Sequence, residues 1–166
     1  YVLSGFQNDK PIILTLRLDV EGLKREAVAL RCFEGHGAVR VLAAEEGVLL
    51  LERVMPGTSL KCYFPNKERE SLEIACEVMK KLHRAMIPDN HYFPHIKDWL
   101  AALDKDWNIP HEYLQKAREL RGQLLKTTDG DVLLHGDLHH DNILQDGEAW
   151  VVIDPKGVIG EPAYEV

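Results

Sequence analysis

Asp137, Asn142 and Asp154 are the residues whose types and spacing could do chemistry. The stretch from Val132 to Pro155 reads VLLHGDLHHDNILQDGEAWVVIDP. Its apolar run, Val132-Leu133-Leu134, predicts a short strand that ends at His135-Gly136-Asp137 and delivers a carboxylate into a loop. Asn142 follows in the same loop. The apolar segments Ile143-Leu144 and Ala149 to Ile153 flank Gln145-Asp146-Gly147-Glu148, where the Asp-Gly pair marks a hairpin turn. The second strand of that hairpin ends in Asp154. Two carboxylates and one carboxamide are therefore expected at one rim of a small sheet. Hard oxygen ligands of this kind hold Mg2+, and a neighbouring carboxylate can take the proton of an attacking hydroxyl. Those are the two needs of phosphoryl transfer from a nucleotide. On this reading Asp137 is the base, and Asn142 and Asp154 are the metal ligands.

The same stretch admits a rival chemistry. His135, Asp137, His139, His140 and Asp141 form a dense nitrogen and carboxylate cluster, of a composition that can hold zinc or a two-metal hydrolase site. Such a site needs further ligands from distant strand ends, and Asp154 is the strongest candidate.

The order of strand, HGDxxxxN, Asp-Gly hairpin and Ile-Asp resembles the catalytic loop and metal-binding hairpin of kinases. In its specific form, HGDLHHDNIL followed by Ile153-Asp154-Pro155-Lys156-Gly157 and Gly160-Glu161-Pro162-Ala163-Tyr164, it is similar to the aminoglycoside phosphotransferases, within them to the streptomycin 6-kinase and hydroxyurea phosphotransferase branch. Lys24 to Leu30 (KREAVAL), Gly37 to Leu42 (GAVRVL) and Leu50 to Leu60 (LLERVMPGTSL) resemble further segments of that branch. The resemblance covers nearly the whole chain. It implies ATP and Mg2+ as cofactors, a hydroxylated small molecule as acceptor, and a chain that lacks both ends of the longer family members. It also implies that the backbones of Glu52 and Val54 meet the adenine edge, with Met55 against the ring, and that His135 braces the loop.

One position departs from the family pattern. The resemblance places a nucleotide-binding lysine at Thr15, and that lysine normally contacts the phosphates and pairs with a helix glutamate. Helical spacing over about Leu23 to Phe33 puts Leu23, Glu26, Ala27 and Leu30 on one face. Glu26 is thus a carboxylate on an apolar stripe, and burying it without a cation costs several kcal/mol or raises its pKa. Arg17, which shares a strand face with Ile13 and Thr15, is the first candidate partner. Lys156 is the second. The bland alternative is that Glu26 lies at the edge of the stripe and reaches water.

The remaining elements must position these groups. Tyr1-Val2-Leu3 and Pro11 to Leu18 read as an antiparallel pair around a turn-rich insert at residues 4–10. Ala38 to Ala43 and Val48 to Val54 read as a second hairpin, and Met55-Pro56-Gly57-Thr58 as the start of a connection between lobes. Leu72, Ala75, Cys76, Met79, Leu82 and Met86 predict a helix with an inward face. Ile96, Trp99, Leu100, Leu103 and Trp107 predict a shorter one, and Tyr113, Ala117, Leu120 and Leu124 a third that Pro110 opens. Residues 127–131 read as a loop. The order fits a two-lobed α+β fold of protein-kinase-like type, with residues 1–55 as a partial N-lobe, 56–66 as a linker and 67–166 as the C-lobe.

A hydrophobic content of 45% is ample for a core, and the net charge of −7 disfavours a nucleic-acid surface. No apolar run approaches the roughly 18 residues of a membrane span, and no leader pattern is present, so a soluble, cytoplasmic protein is expected. Cys32, Cys62 and Cys76 lack metal spacing and suit reduced thiols. The chain is expected to be an ATP-dependent small-molecule kinase. The alternatives are a catalytically weak binding protein that kept the fold, favoured by Thr15, and the metal-dependent hydrolase.

Overall fold

A computed structural model describes residues 1–126 and 130–165. Of the loop expected at 127–131, residues 127–129 lie outside the described residues. Strands β1 (Val2–Gln7) and β2 (Lys10–Leu16) form a hairpin. Asn8 and Asp9 turn it with φ of 50° and 63°, the positive values that a two-residue turn needs to match strand twist. The segment 4–7, read from its Ser and Gly as part of a turn, is strand. Pairing with the whole length of β2 outweighs the weak local preference of those residues.

Helix α1 (Val20–Cys32) follows. It starts earlier than apolar spacing alone implied, because the Asp19 carboxylate accepts a hydrogen bond from Gly22 N–H and caps it. Strands β3 (Val41–Glu45) and β4 (Val48–Glu52) complete an antiparallel sheet of order β1-β2-β4-β3.

The segment 56–66, expected as a linker, contains strand β5 (Pro56–Ser59) and a 3-10 turn, Leu60–Tyr63. β5 pairs with β7 (Ile143–Asp146), and β7 pairs with β8 (Ala149–Val152). A separate pair joins β6 (Val132–Leu134) to β9 (Val158–Gly160). Helices α2 (Glu68–Leu82), α3 (Ile96–Leu100) and α4 (His111–Leu124) lie between β5 and β6 in sequence.

The two halves share α1. Leu23, Ala27 and Leu30 pack with Val39, Leu49, Leu51 and Val54 under the first sheet. Ala29, together with Phe33 just past the helix end, packs instead with Leu60, Val78, Leu82, Leu133, Ile143 and Val152. A second tie is made by the backbone, since Val39 N–H donates to the Val152 carbonyl and Val152 N–H to the Gly37 carbonyl.

Two helix faces differ from the sequence reading. On α2 the buried positions are Ser71, Val78 and Leu82, while Leu72 and Cys76 are exposed. The helix ends at Leu82, and Met86 beyond it is also exposed. On α4 only Leu114 is buried, and Tyr113, Leu120 and Leu124 are largely exposed. Spacing identified both helices, but which stripe is covered depends on what packs there. Trp107, expected on an inward face, is exposed, and its indole N–H donates to the Ala102 carbonyl.

Because Phe33 is fully buried and fixes the end of α1 against the larger core, Phe33→Ala should destabilise the chain by about 3–5 kcal/mol. Urea unfolding followed by circular dichroism measures this, and a loss below about 1 kcal/mol would contradict the packing described.

Candidate active site

A cavity of about 350 Å3 opens between the two halves. Its walls include Ile13, Thr15 and Arg17 of β2 and its extension, Glu26 of α1, and Glu52, Val54 and Gly57 from the strand junction. Asn142, Leu144, Ile153 and Asp154 close the other side. The strand face bearing Thr15 and Arg17 is thus the cavity face. Thr15 is only 5% exposed, and its small side chain stands where the resemblance expects a lysine.

Arg17, two residues further along the chain, is the cation that pairs with the helix glutamate. Its Nη1 lies 3.0 Å from Glu26 Oε2 and its Nη2 donates to Asp154 Oδ1 at 2.7 Å. Glu26 is 3% exposed, so the alternative in which it reaches water is overturned. Burial is the main influence on its carboxyl and raises the pKa to about 7; Arg17 pulls it down, and Asp154 adds to the rise. Burial pushes Asp154 upward too, but the hydrogen bond and charge of Arg17, with Lys156, outweigh it and hold the carboxyl below its usual range. Glu26 Oε2 is buried and makes no aligned hydrogen bond, despite its closeness to the guanidinium.

Lys156 is the second expected cation, and it sits between the two aspartates. Its Nζ is 3.5 Å from Asp137 Oδ2 and 3.6 Å from Asp154 Oδ2. One ammonium therefore reaches both carboxylates, which places them on the same side of the molecule. Asp154 has a φ of 57°, a left-handed conformation that is strained for a non-glycine residue and turns up at functional sites.

The loop that carries Asp137 is built around His135, which is fully buried. Its Nε2 lies 2.9 Å from the Ile153 carbonyl, and its Nδ1 faces Asp137 N–H at 3.3 Å. A carbonyl can only accept, so the proton belongs on Nε2 and the ring is neutral. Burial is the main influence on this histidine and lowers its pKa. The His135 carbonyl accepts from the N–H groups of Lys156 and Gly157, tying the loop to the chain just after Asp154. Gly136 has φ of +78°, and a Cβ there would come within 3.0 Å of Trp99 and Val158, so the turn requires glycine.

Glu165 escaped the sequence reading. Its carboxylate is buried and accepts from His135 N–H at 2.6 Å and Gly136 N–H at 2.8 Å, with His83 Nε2 at 3.6 Å. The available signal was a carboxylate directly after the Pro162-Ala163-Tyr164 segment, which a sequence pattern shows only as a local acid. Asn142 uses its amide nitrogen on the Asp137 carbonyl at 2.9 Å. Its side-chain oxygen is the atom left for a hard cation.

The rival zinc-type cluster does not form among the described residues. Among the described residues no group of three or more His, Cys, Asp or Glu is placed to share a metal. Both ring nitrogens of His135 are committed to backbone, and His139 caps the turn at Asp141 N–H. Met55, expected against an adenine ring, is 53% exposed; its backbone instead binds the β7–β8 turn through Asp146 and Gly147. The cysteines Cys32, Cys62 and Cys76 are free. Among the described residues no helix is long and apolar enough to cross a membrane.

Two sheets flanking a cleft, with a loop of His-Gly-Asp type on one side and a glutamate-bearing helix on the other, define a protein-kinase-like fold. The solved structure of aminoglycoside phosphotransferase APH(4)-Ia superposes with a TM-score of 0.75 at 19% identity, covering 99% of this chain and 65% of that one. The choline kinase LicA of Streptococcus pneumoniae gives 0.71 at 14% identity, covering 99% and 62%. By sequence, the family model described as aminoglycoside/hydroxyurea antibiotic resistance kinase matches residues 7–166. The chain belongs to that family. It is 33% identical to the streptomycin 3''-kinase of Klebsiella pneumoniae, over 99% of this chain and 62% of that protein. It is 30% identical to the hydroxyurea phosphotransferase of Kitasatospora aureofaciens, over 85% and 44%. The chain thus spans less than two thirds of the length of either relative.

The raised pKa of Glu26 has a testable sign. Between about pH 4.5 and 7 the folded chain keeps a proton that the unfolded chain has released. Raising the pH across that window therefore favours unfolding at this site. Glu26→Gln should remove this decline, so the difference in urea midpoint between variant and parent should grow in favour of the variant from pH 5 to pH 7.5. A difference that is flat with pH would show that Glu26 is already ionised throughout.

Proposed function

We propose that the chain is the catalytic part of an ATP-dependent phosphotransferase that phosphorylates a hydroxyl of a small molecule, of the streptomycin-like aminoglycoside or hydroxyurea class. One observation carries this reading: Asn142 and Asp154 line a cleft between the two halves, while Lys156 links Asp154 to the carboxylate of Asp137. A cleft with metal-ligand oxygens at its floor and a base at its rim is what transfer to an alcohol requires, since such transfer rests on positioning and charge neutralisation.

The adenine end of the cleft is formed by Glu52, Val54 and Gly57, with Ile13, Val39, Leu51, Leu144 and Ile153 supplying apolar walls. The Glu52 N–H is taken by the Arg40 carbonyl, so Glu52 offers its carbonyl to an adenine amino group and Val54 its backbone. Arg17, paired with Glu26, stands in for the lysine absent at Thr15 and answers the phosphates. Lys156 faces the position through which the transferred group passes. Asp137 accepts the acceptor's proton. Mg2+ held by Asn142 Oδ1 and the Asp154 carboxylate would neutralise phosphate charge; the unaligned buried oxygen of Glu26 and the two hard donors fit a site completed by such a ligand. His135 and Glu165 hold the loop so that Asp137 is presented in one conformation.

The proposed division follows the cleft. Residues 1–55 supply one wall, residues 67–166 the other, and the junction at 56–66 contributes Pro56 and Gly57. An enzyme drawing on ATP belongs in the cytoplasm, and an acidic chain has little use for nucleic acid.

The test is ADP release on Mg-ATP with a panel of hydroxylated aminoglycosides and hydroxyurea. Asp137→Asn should slow transfer about 10²–10⁴-fold, the usual contribution of a general base, while nucleotide affinity measured by calorimetry stays within about threefold. Turnover that survives the substitution would remove Asp137 from the base role.

A further inference from the structure

We infer that Arg17 is a positioning residue with two stations, occupying the metal-ligand carboxylate of Asp154 in the nucleotide-free protein and leaving it for the phosphates when metal and nucleotide enter. The inference rests on the reading of the cleft as a Mg-nucleotide site and deepens it.

The geometry separates the two nitrogens of one guanidinium. Nη2 donates to Asp154 Oδ1 at 2.7 Å, the shortest contact the cation makes, while Nη1 lies 3.0 Å from Glu26 Oε2 without hydrogen-bond alignment. The better-made bond thus goes to the carboxylate that a metal would need. Lys156 Nζ stands 3.6 Å from the other oxygen, Asp154 Oδ2. Both oxygens of the proposed ligand are therefore covered by side-chain cations. A divalent ion must displace the Arg17 bond to take Oδ1 in an inner-sphere contact.

The displaced guanidinium has somewhere to go. Arg17 and Thr15 share the cavity face of β2 and its extension, and the short side chain of Thr15 puts no charge of its own there. A side chain with five donors and a long stem can keep Glu26 within reach through one nitrogen while the other turns to phosphate oxygens. A lysine presents its three donors from one point, so it cannot serve two anions as far apart as the ends of a guanidinium fork. The consequence is order in binding: metal alone competes with Arg17 and binds poorly, whereas metal with nucleotide gives Arg17 a new anion and binds well. By linkage, the nucleotide and the metal then each strengthen the other.

The experiment measures Mn2+ bound to the nucleotide-free chain by electron paramagnetic resonance, and Mg-ATP binding by calorimetry. Arg17→Gln should bind Mn2+ about tenfold more tightly than the parent without nucleotide, the scale of one charge-assisted hydrogen bond removed from a competitor. The same variant should bind Mg-ATP at least about tenfold more weakly. Arg17→Lys should fall between parent and Arg17→Gln in both. Should Arg17→Gln fail to fold because Glu26 is left buried and unpaired, the double variant Arg17→Gln with Glu26→Gln removes that charge and is expected to show the same opposite-signed pair of changes. Mn2+ affinity that is unchanged or weaker without Arg17 would overturn the inference, even where Mg-ATP binding is lost. A parent chain that binds no Mg-ATP would instead overturn the reading of the cleft, and the Mn2+ comparison would still decide whether Arg17 masks Asp154.

Discussion

The site depends on one ion pair made under poor solvation, the Arg17 guanidinium between Glu26 and Asp154. Glu26 lies on the stripe of α1 that also carries Leu23, Ala27 and Leu30, so the packing that holds the helix under the first sheet also takes this carboxylate out of water. Removing a charge from water is costly unless a partner is supplied. Arg17 reaches in from just past the end of β2 with about a third of its side chain still exposed. Helix, strand and the Asp154 hairpin are thereby tied at a single point, and that point lines the cleft. The helix itself belongs to both cores, with Ala29 in the larger and Ala27 in the smaller. A shift of α1 would therefore move Glu26 against Arg17 and alter the cleft.

A second constraint keeps the Asp137 loop in one shape. Its backbone has few partners in regular structure, and buried N–H and carbonyl groups must find others. Glu165 takes the N–H groups of His135 and Gly136, the His135 ring bridges the Ile153 carbonyl and Asp137 N–H, and Asn142 holds the Asp137 carbonyl. Every bond of this set joins the loop to Ile153 just past β8, to Glu165, or to itself. Networks of this kind are rigid when complete and expensive when broken, because each orphaned group stays buried. The rigidity places Asp137 while leaving its carboxylate half exposed at the rim, where an acceptor can arrive.

Local pattern served the sequence reading where chemistry is carried by a contiguous motif. The HGDxxxxN order, the Asp-Gly hairpin and the terminal Ile-Asp gave the fold class and the family, and Glu26 was marked by its presence on an apolar stripe. Pattern failed where neighbours decide. Ser4 to Gln7 became strand because β2 offered a full ladder, and the outward turn of Leu72 and Tyr113 reflects what covers each helix rather than how its apolar residues are spaced. Met55 is set by a backbone bond to a turn almost a hundred residues away.

From the amino-acid order alone came the candidate oxygen ligands and the need for a cation near Glu26, since these follow from residue type and from the periods of strand and helix, while the absence of a lysine at Thr15 stood out only against the family resemblance. Only the folded chain could choose Arg17 for Glu26 and set Lys156 between two aspartates, and only it revealed Glu165 under the Asp137 loop. Those are contacts across long stretches of sequence, and their distances are fixed by how the two cores pack, a quantity that no local pattern encodes.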